Sequence, residues 1–489
     1  MTAKPITAAI VAGSAFTVLF YNQQVGLNLL LANILILLLL LLTGRLAMRR
    51  NQLLVLSGVV ATALGAVVVH SDFVVIMNFA SLFLLVGLIV FPESRSVLTI
   101  LRISAANILP AQKTFFAGIS GSRKLKFRRF ALYGVPTLIV LTFIWIYRLS
   151  SPAFDRGVSA FATSVSRIFS GMDLALPLTV AVSLMLANFV FLSNSAYRFA
   201  AIDMSAQETL VRRRKLLIKP FKVVALSNEY RSGIFLLCSL NFLLLALNLT
   251  DIYHVWFNFS WDGGYLKQFV HEGTYLLLLS IVLSVIIVLY FFRGNLNFFS
   301  KSRWLRALSY IWIVQNAVLA ISVGVRNYWY IQYFALAYKR IGLLIFLLLT
   351  LYGLYTVFVK VREQKSPFYL LRMNALALYL VLTVSSLFNW DSIIVRYNLG
   401  RAGTAFFEFD YNSRFADKAL PQLDRELSFY ESVAKAQKIR LGLEDLQMSP
   451  AQFHEEISRR KTEFTQRWQD RHWLSWNLPE HRAYEQLNR

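Results

Sequence analysis

The chain has 489 residues, of which 57% are hydrophobic and only 16% are charged, and its formal net charge is +24. That balance excludes an ordinary soluble domain, because lipid must replace water around much of such a chain. Residues 388–489 hold 15 Lys and Arg and 15 Asp and Glu, so the positive excess lies among the hydrophobic segments and indicates membrane headgroups rather than nucleic acid.

Eleven apolar segments are long enough to be membrane-spanning helices. A span needs about 20 mostly apolar residues, because the hydrocarbon core is about 30 Å thick and a helix rises about 1.5 Å per residue. We therefore predict an all-α, polytopic transmembrane bundle of about eleven spans. The segments are 6–21, 27–42, 53–69, 73–91, 131–147, 174–192, 233–249, 274–292, 307–323, 341–359 and 373–387.

The distribution of Lys and Arg predicts the orientation of these spans. With the N-terminus inside, the predicted cytoplasmic segments hold 28 Lys and Arg, and the predicted outside loops hold 7. Basic residues near span ends tend to stay on the cytoplasmic side. We therefore predict a multi-pass protein of a bacterial-type cytoplasmic (inner) membrane, with a cytoplasmic N-terminus and a periplasmic or extracellular C-terminus.

Two of the predicted cytoplasmic loops, 92–130 and 193–232, are long and rich in Lys and Arg. Each basic residue near an anionic membrane surface is attracted to it by about 1 kcal/mol. Anchoring on headgroups is therefore the preferred interpretation, and docking of an acidic partner is the alternative.

The last hundred residues have the pattern of surface helices. Ser449, Pro450 and Gln452 predict a capped helix start, with proline at the first helical position. After it, apolar residues recur at helical spacing on an otherwise charged helix; they are Phe453, Ile457, Phe464 and Trp468. We predict two domains, a transmembrane domain of residues 1–387 and an extracytoplasmic helical domain of residues 388–489.

Few polar side chains lie within the predicted spans. Ionisable groups at bilayer depth are costly and mark ion or proton pathways, but here Asp173 and Glu272 lie at span ends. The spans otherwise carry amides, which we expect to form hydrogen bonds between helices rather than a polar pathway. These amides are Asn78, Asn241, Gln315, Asn316 and Asn374.

The predicted outside loop 250–273 gathers residue types of metal and acid–base sites, namely Asp251, His254, Asp262, His271 and Glu272. Their spacing matches no ligand motif, and solvated loop polarity with capping of the next span explains the same residues. The chain also lacks a Gly-rich phosphate loop, a Gly-x-Ser-x-Gly elbow and a Cys/His cluster, and Cys238 is its one cysteine. We therefore predict no cofactor and no metal.

The segment 326–340, RNYWYIQYFALAYKR, is rich in aromatic residues. Arg326, Tyr330, Phe334 and Tyr338 recur every fourth residue, which predicts one face of a helix in the outer headgroup layer. An aromatic belt explains this pattern without a function. In the sharper hypothesis, Arg326 and Arg340 grip an anionic headgroup or pair with Glu272.

Several stretches resemble a bacterial multi-pass membrane family catalogued as domains of unknown function 4153 and 4173. They are LFYNQQVGLNLLL, VHEGTYLLLLSIVLS, YIQYFALAYKRIGLLIF, NWDSIIVRYNLGRA and FDYNSRFADKALPQL. The resemblance implies no activity, and it supplies landmarks. These are His271, Glu272, Gly273, Tyr333, Leu336, Arg340, Asn389, Asp391, Arg396, Tyr397 and Asn398. Ala335 and Ala337 stand where the family leads us to expect Gly and Thr.

Three functional hypotheses remain open. The first is a non-enzymatic scaffold, sensor or regulator whose outer helical domain meets a partner or envelope component. The second is a transporter or lipid translocator, and the third is a membrane enzyme that uses His254, His271 and Glu272. The lipid bilayer is the expected partner, an envelope protein is a possible one, and nucleic acid is excluded. The candidate functional residues are His271, Glu272, Arg326, Arg340, Asp391 and Arg396.

Overall fold

The computed structural model describes most of the chain. The described residues are 3–119, 140, 143–145, 147–148, 151–168, 173, 175–194, 197–211, 221–259, 265–293, 295–299, 302–442, 445 and 447–488. Within its helices, the description excludes the side chains of residues 3, 152, 162, 164–168, 197–198, 221–225, 265–274 and 295.

Helices account for the regular structure of the membrane region. They are α1 Ala3–Phe20, α2 Leu27–Leu42, α3 Arg50–Val68, α4 Asp72–Val90, α5 Val97–Ile119, α6 Pro152–Ile168, α7 Ala175–Leu192, α8 Tyr197–Ser205, α9 Phe221–Asp251, α10 Tyr265–Phe291, α11 Arg303–Phe334, α12 Tyr338–Glu363 and α13 Pro367–Ser386. A π-helix, Ile252–Phe257, continues α9, and a 3-10 helix, Asn295–Phe298, precedes α11.

The predicted fold class, an all-α polytopic transmembrane bundle, is confirmed. The described residues form no strand. Seven of their helices (α3, α4, α7, α9, α11, α12 and α13) are long and apolar enough to cross a membrane, and α1, α2 and the second part of α10 are shorter apolar helices. Ten of the eleven predicted spans coincide with a helix, and 131–147 falls largely outside the described residues.

Helix α5 lies in a segment that the sequence analysis treated as a cytoplasmic loop. Arg102, Pro110 and Lys113 interrupt its apolar pattern, so hydropathy does not mark it as a span. It nevertheless packs against α4, where a Cβ atom on Gly87 would lie 2.6 Å from the carbonyl oxygen of Ile100. The basic segment 92–130 therefore contains a helix that belongs to the bundle.

The amides within the spans join neighbouring helices, as predicted. Asn78 of α4 donates to Asn33 of α2 at 3.3 Å and to the Val59 carbonyl of α3 at 3.2 Å. Asn241 donates to the Leu308 carbonyl at 3.1 Å. Gln315 in turn donates to Asn241 at 2.9 Å, and Asn374 donates to Thr356 at 2.8 Å. Asn316 differs, because it donates within its own helix, to Trp312.

The helix ends meet in two groups, at opposite ends of the bundle. On one face, Leu27 donates to the carbonyl of Trp476 at 2.9 Å, and Phe406 donates to the carbonyl of Tyr333 at 2.7 Å. This face therefore carries the first hairpin turn, the α11–α12 turn and the residues that follow α13. On the other face, loops are joined by contacts such as Asn51 to the Ser94 carbonyl, 2.8 Å.

The residues after α13, here called the tail, are also helical. Their helices are α14 Trp390–Gly400, α15 Phe409–Ser413, α16 Leu420–Leu423, α17 Leu427–Leu441, α18 Pro450–Gln469 and α19 Leu478–Leu487, with 3-10 helices at Asp417–Ala419 and Trp473–Ser475. The predicted capping box of Ser449 and Gln452 is confirmed at the start of α18. Because Ile341 of α12 belongs to the same apolar core as Phe407 and Phe453, the tail packs directly on the membrane helices.

One prediction for segment 326–340 is wrong. Arg326, Tyr330 and Phe334 lie in α11, but the helix ends at Phe334, and Tyr338 begins α12. The break lies at Ala335, whose φ of +62° and ψ of −165° interrupt the helix. The four residues therefore do not form one helical face, because the chain must turn back between two antiparallel spans.

Candidate functional site

The tail is docked on the membrane helices through a buried lysine. Lys418 lies in the 3-10 helix Asp417–Ala419, and its side chain is 2% exposed. Its Nζ lies 3.0 Å from a carboxylate oxygen of Asp391, in the first turn of α14. Nζ also donates to the carbonyls of Val69 and His70, at 3.1 and 2.8 Å, in the turn between α3 and α4.

Asp391 joins this lysine to a third part of the chain. The hydroxyl of Tyr338, at the start of α12, donates to the other carboxylate oxygen of Asp391 at 2.6 Å. The family landmark Asp391 thus holds the tail, the α3–α4 turn and α12 together. A buried charge needs such partners, because leaving it unpaired costs several kcal/mol.

A second polar contact joins the tail to the same turn. His70 lies 3.8 Å from Glu480 of α19, which also accepts hydrogen bonds from Asn477, at 2.7 Å, and from Arg471. Burial lowers the pKa of His70; the Glu480 carboxylate opposes this shift, while Lys418 and Arg471 add to it. Burial acts to raise the pKa of Glu480, but Asn477, His70 and Arg471 together hold it below its usual value.

We predict that acidification weakens tail docking. A depressed His70 pKa means that its contribution is present above pH 6.5 and is lost as the pH falls through that lowered pKa. Glu480 contributes stability that is present above pH 4.5 and is lost further down, as its own lowered pKa is passed. The midpoint of thermal unfolding, measured between neutral pH and pH 4, should fall stepwise in the wild type. In His70→Gln the upper step should disappear, and an unchanged profile in this variant would contradict the assignment.

The first hairpin turn completes the docking surface. The backbone N–H of Gln24 donates to the Ser475 hydroxyl at 3.0 Å, and this hydroxyl donates to the side-chain oxygen of Gln23 at 3.0 Å. A Cβ atom on Gly26 would lie 2.6 Å from backbone atoms of Ser475, so only glycine permits this approach. This turn, which lies in the stretch LFYNQQVGLNLLL that carries the resemblance, is therefore a contact site for the tail.

A basic cavity lies between the tail and the end of α3. Its volume is about 250 Å³. Its lining includes Val68 of α3, Arg396 of α14, Lys418, and Arg482 of α19. A neighbouring cavity of about 730 Å³ shares Arg396 and Gln422 with it. The family landmark Arg396 thus lies between two cavities.

Arg326 forms a buried ion pair that sequence analysis did not identify. Its guanidinium lies 2.5 Å from Asp251, the last residue of α9, and the two side chains are 7% and 5% exposed. Ser322 donates to the other carboxylate oxygen of Asp251 at 2.7 Å. Asp251 lies in a helix rather than in the predicted loop 250–273, because α9 extends beyond the predicted span 233–249. The pair is followed at once by the π-helix Ile252–Phe257, a rare element that is frequent at functional sites.

Arg340 stabilises the turn between α11 and α12. Its guanidinium donates to the carbonyls of Phe334, at 2.5 Å, and of Ala335, and it lies over the ring of Tyr330 at 4.4 Å from the centroid. These carbonyls lie at the end of α11, where the helix leaves acceptors without intrahelical donors. In the structure Arg340 therefore holds a strained turn in place.

We predict that Ala335→Gly stabilises the protein by about 1 kcal/mol, because relief of a backbone conformation that is essentially restricted to glycine outweighs the greater flexibility of the unfolded chain. The matched control is Ala337→Gly, since Ala337 has an ordinary extended φ of −148°. This control should be neutral or destabilising. Thermal or chemical unfolding in detergent measures both variants, and a loss of stability in Ala335→Gly would contradict the assigned strain.

The remaining candidates were proposed in the outside loop before α10. His271 and Glu272 lie in α10, but their side chains are outside the described part of the structure, as is Asp262. His254 lies in the π-helix, exposed, with its ring 4.9 Å from that of Tyr253. Among the described residues there is no group of three or more His, Cys, Asp or Glu that could hold a metal ion.

The comparisons with known proteins agree with the resemblance in sequence. The family model described as Domain of unknown function (DUF4153) matches residues 6–426, which include the membrane helices and the first part of the tail through α16. No curated protein and no solved structure matches the chain.

Proposed function

Because the chain belongs to the DUF4153 family, whose function is unknown, we propose from its geometry that it is a non-enzymatic sensor, scaffold or regulator of the bacterial inner membrane. In this proposal the tail lies outside the cytoplasm and meets an envelope component. The observation that carries the proposal is the docking of the tail through Lys418, whose buried charge is held by two separate parts of the chain.

Buried polar contacts suit a region that responds to a ligand or a partner. Apolar burial is non-directional, whereas an ion pair is favourable only in one arrangement and becomes costly when one partner is removed. A ligand that favours the docked or the released tail shifts the balance between them by its difference in affinity. In this proposal the tail has two states, one docked on the membrane helices and one released from them.

Photo-crosslinking in cells tests the role of the tail. A crosslinking residue placed at Ile439 or Trp473, which are 76% and 60% exposed, should capture an envelope component. Lys418→Met should change that capture, because it releases the tail. Recovery of the same partners after deletion of residues 388–489 would exclude the proposal.

The charge distribution supports the proposed orientation. The predicted cytoplasmic segments hold 28 Lys and Arg against 7 in the outside loops, and Trp476 of the tail contacts the first outside turn. In a Cys238→Ser background, a membrane-impermeant maleimide added to intact spheroplasts should label Lys435→Cys and leave Arg362→Cys unlabelled. The opposite result would reverse the topology.

The Asp251–Arg326 pair favours a second candidate function, a transporter or lipid translocator. Ionisable residues in membrane helices mark substrate and ion pathways, and both residues lie in helices long enough to span the membrane. Reconstituted vesicles should then show flux or lipid scrambling that Arg326→Gln abolishes. Flux no higher than in empty vesicles, over a broad substrate panel, would remove this candidate.

A further inference from the structure

The cavity of about 250 Å³ at the base of the tail has the lining of an anion site. Polar and basic residues of two helices, α14 and α19, line this cavity. Asn389, which caps α14, is followed at spacings of three and four residues by Ser392 and Arg396 within α14, and Arg482 and Gln486 recur at a spacing of four on α19. No acidic residue is part of its lining.

The cavity has an excess of positive charge. The charge of Lys418 is balanced by Asp391, but Arg396 and Arg482 form no salt bridge with any described residue. The first turns of α14 and α19 also line the cavity, but Asn389 and Asn477 cap these helices and the turns hold Asp391 and Glu480, so the positive charge comes from the arginine side chains. Two arginine side chains without a carboxylate partner in the described part of the chain favour a compact anion with several acceptor oxygens.

We propose that this cavity binds the phosphate group of an anionic ligand. Guanidinium groups match phosphate oxygens in geometry as well as in charge. The cavity is smaller than the usual pocket of a drug-sized ligand, so it takes one such group, and the neighbouring cavity of about 730 Å³ takes the rest of the molecule. Gln422 lines both cavities, and its buried Oε1 has no hydrogen-bond partner among the described residues, so it can accept a hydroxyl hydrogen of the ligand.

The position of the cavity makes two sources of phosphate accessible. Val68, the last residue of the candidate span α3, lines the cavity and is 53% exposed, which places the site beside the membrane surface. The ligand is therefore either the headgroup of an anionic phospholipid or a soluble phosphate compound. This inference rests on the proposed function and names the ligand class that its tail would sense.

The test uses the full-length protein. The midpoint of thermal unfolding is measured in detergent with glycerol 1-phosphate or glycerol, and in nanodiscs of phosphatidylcholine with or without phosphatidylglycerol. Binding to the folded protein raises this midpoint. The variant Arg396→Gln/Arg482→Gln should bind about tenfold more weakly or worse, because each arginine supplies charge-assisted hydrogen bonds. Both side chains are exposed, so the variant should fold.

The matched control is Lys435→Gln/Arg440→Gln, which removes the same charge from exposed positions on α17 that line neither cavity. If the unfolding midpoint rises with phosphatidylglycerol but not with glycerol 1-phosphate, the ligand is a lipid headgroup. If it rises with glycerol 1-phosphate, the ligand is a soluble phosphate compound. Three results overturn the inference. They are an unfolding midpoint that neither probe raises, a rise that is equal in the arginine variant and the wild type, and a control variant that loses as much of the rise as the arginine variant does.

The experiments can exclude the phosphate site and the proposed function of the tail independently of each other. If phosphate does not bind but Lys418→Met still changes the crosslinks of the tail, the inference is excluded and the proposed function stands. If phosphate binds but deletion of the tail leaves the same partners, the site stands and the proposed function is excluded.

Discussion

Lys418→Met should release the tail from the membrane helices. The substitution keeps the length of the side chain but removes the charge, so Asp391 loses its ion pair and the carbonyls of Val69 and His70 lose their donor. Removing one partner of a buried ion pair costs about 3–5 kcal/mol. We expect the amides of α14 and α19 to exchange with deuterium much faster in this variant, as measured by mass spectrometry, while exchange in α3 and α11 is unchanged.

Two further variants separate docking from general destabilisation. Lys435→Met changes an exposed lysine on α17 and should leave exchange as in the wild type. Lys418→Met/Asp391→Asn removes both charges and should recover part of the protection, because no buried charge then remains without a partner. Unchanged exchange of α19 in Lys418→Met would show that the lysine does not hold the tail.

Arg326→Gln and Asp251→Asn should each destabilise the membrane region by about 3–5 kcal/mol, since each leaves a buried charge without its partner. The double variant should lose less than the sum of the two, because it removes both charges together. Unfolding by denaturant in detergent micelles measures all three variants. Additive losses would mean that the two side chains do not interact.

Lys360→Gln is a useful comparison for this pair. Lys360 of α12 is also buried, but it donates to the carbonyls of Phe292 and Lys365 and has no carboxylate partner among the described residues. Its replacement leaves no charge behind, so we expect a smaller loss of stability than in Arg326→Gln. An equal loss in both would argue against a special cost of breaking the ion pair.

The membrane helices could be predicted from the sequence because hydropathy is a local sum over about 20 residues. The same holds for the start of α18, since Ser449 and Gln452 cap a helix within three residues of one another. Helix α5 was missed for a related reason. Its two basic residues and Pro110 lower the local signal, and its burial depends on α4 and α7, which no local window contains.

The candidate site was predicted only in part. The resemblance drew attention to Asp391, Arg396 and Arg340, and the structure places all three at the face that carries the tail. Lys418 lies in the stretch FDYNSRFADKALPQL that carries the resemblance, but nothing in its neighbours distinguishes it from a surface lysine. Arg482 lies in an ordinary charged helix and gave no signal either.

The sequence by itself determined that this protein is a bundle of membrane helices followed by surface helices, because both properties follow from the composition and periodicity of short segments. Only the tertiary structure decided which charges pair. Asp251 pairs with Arg326, which is 75 residues away in the sequence, and Lys418 binds the Val69 carbonyl in the turn after α3, which is 349 residues away. Such pairs depend on how distant helix ends come together, and that depends on the packing of the whole bundle rather than on any one segment.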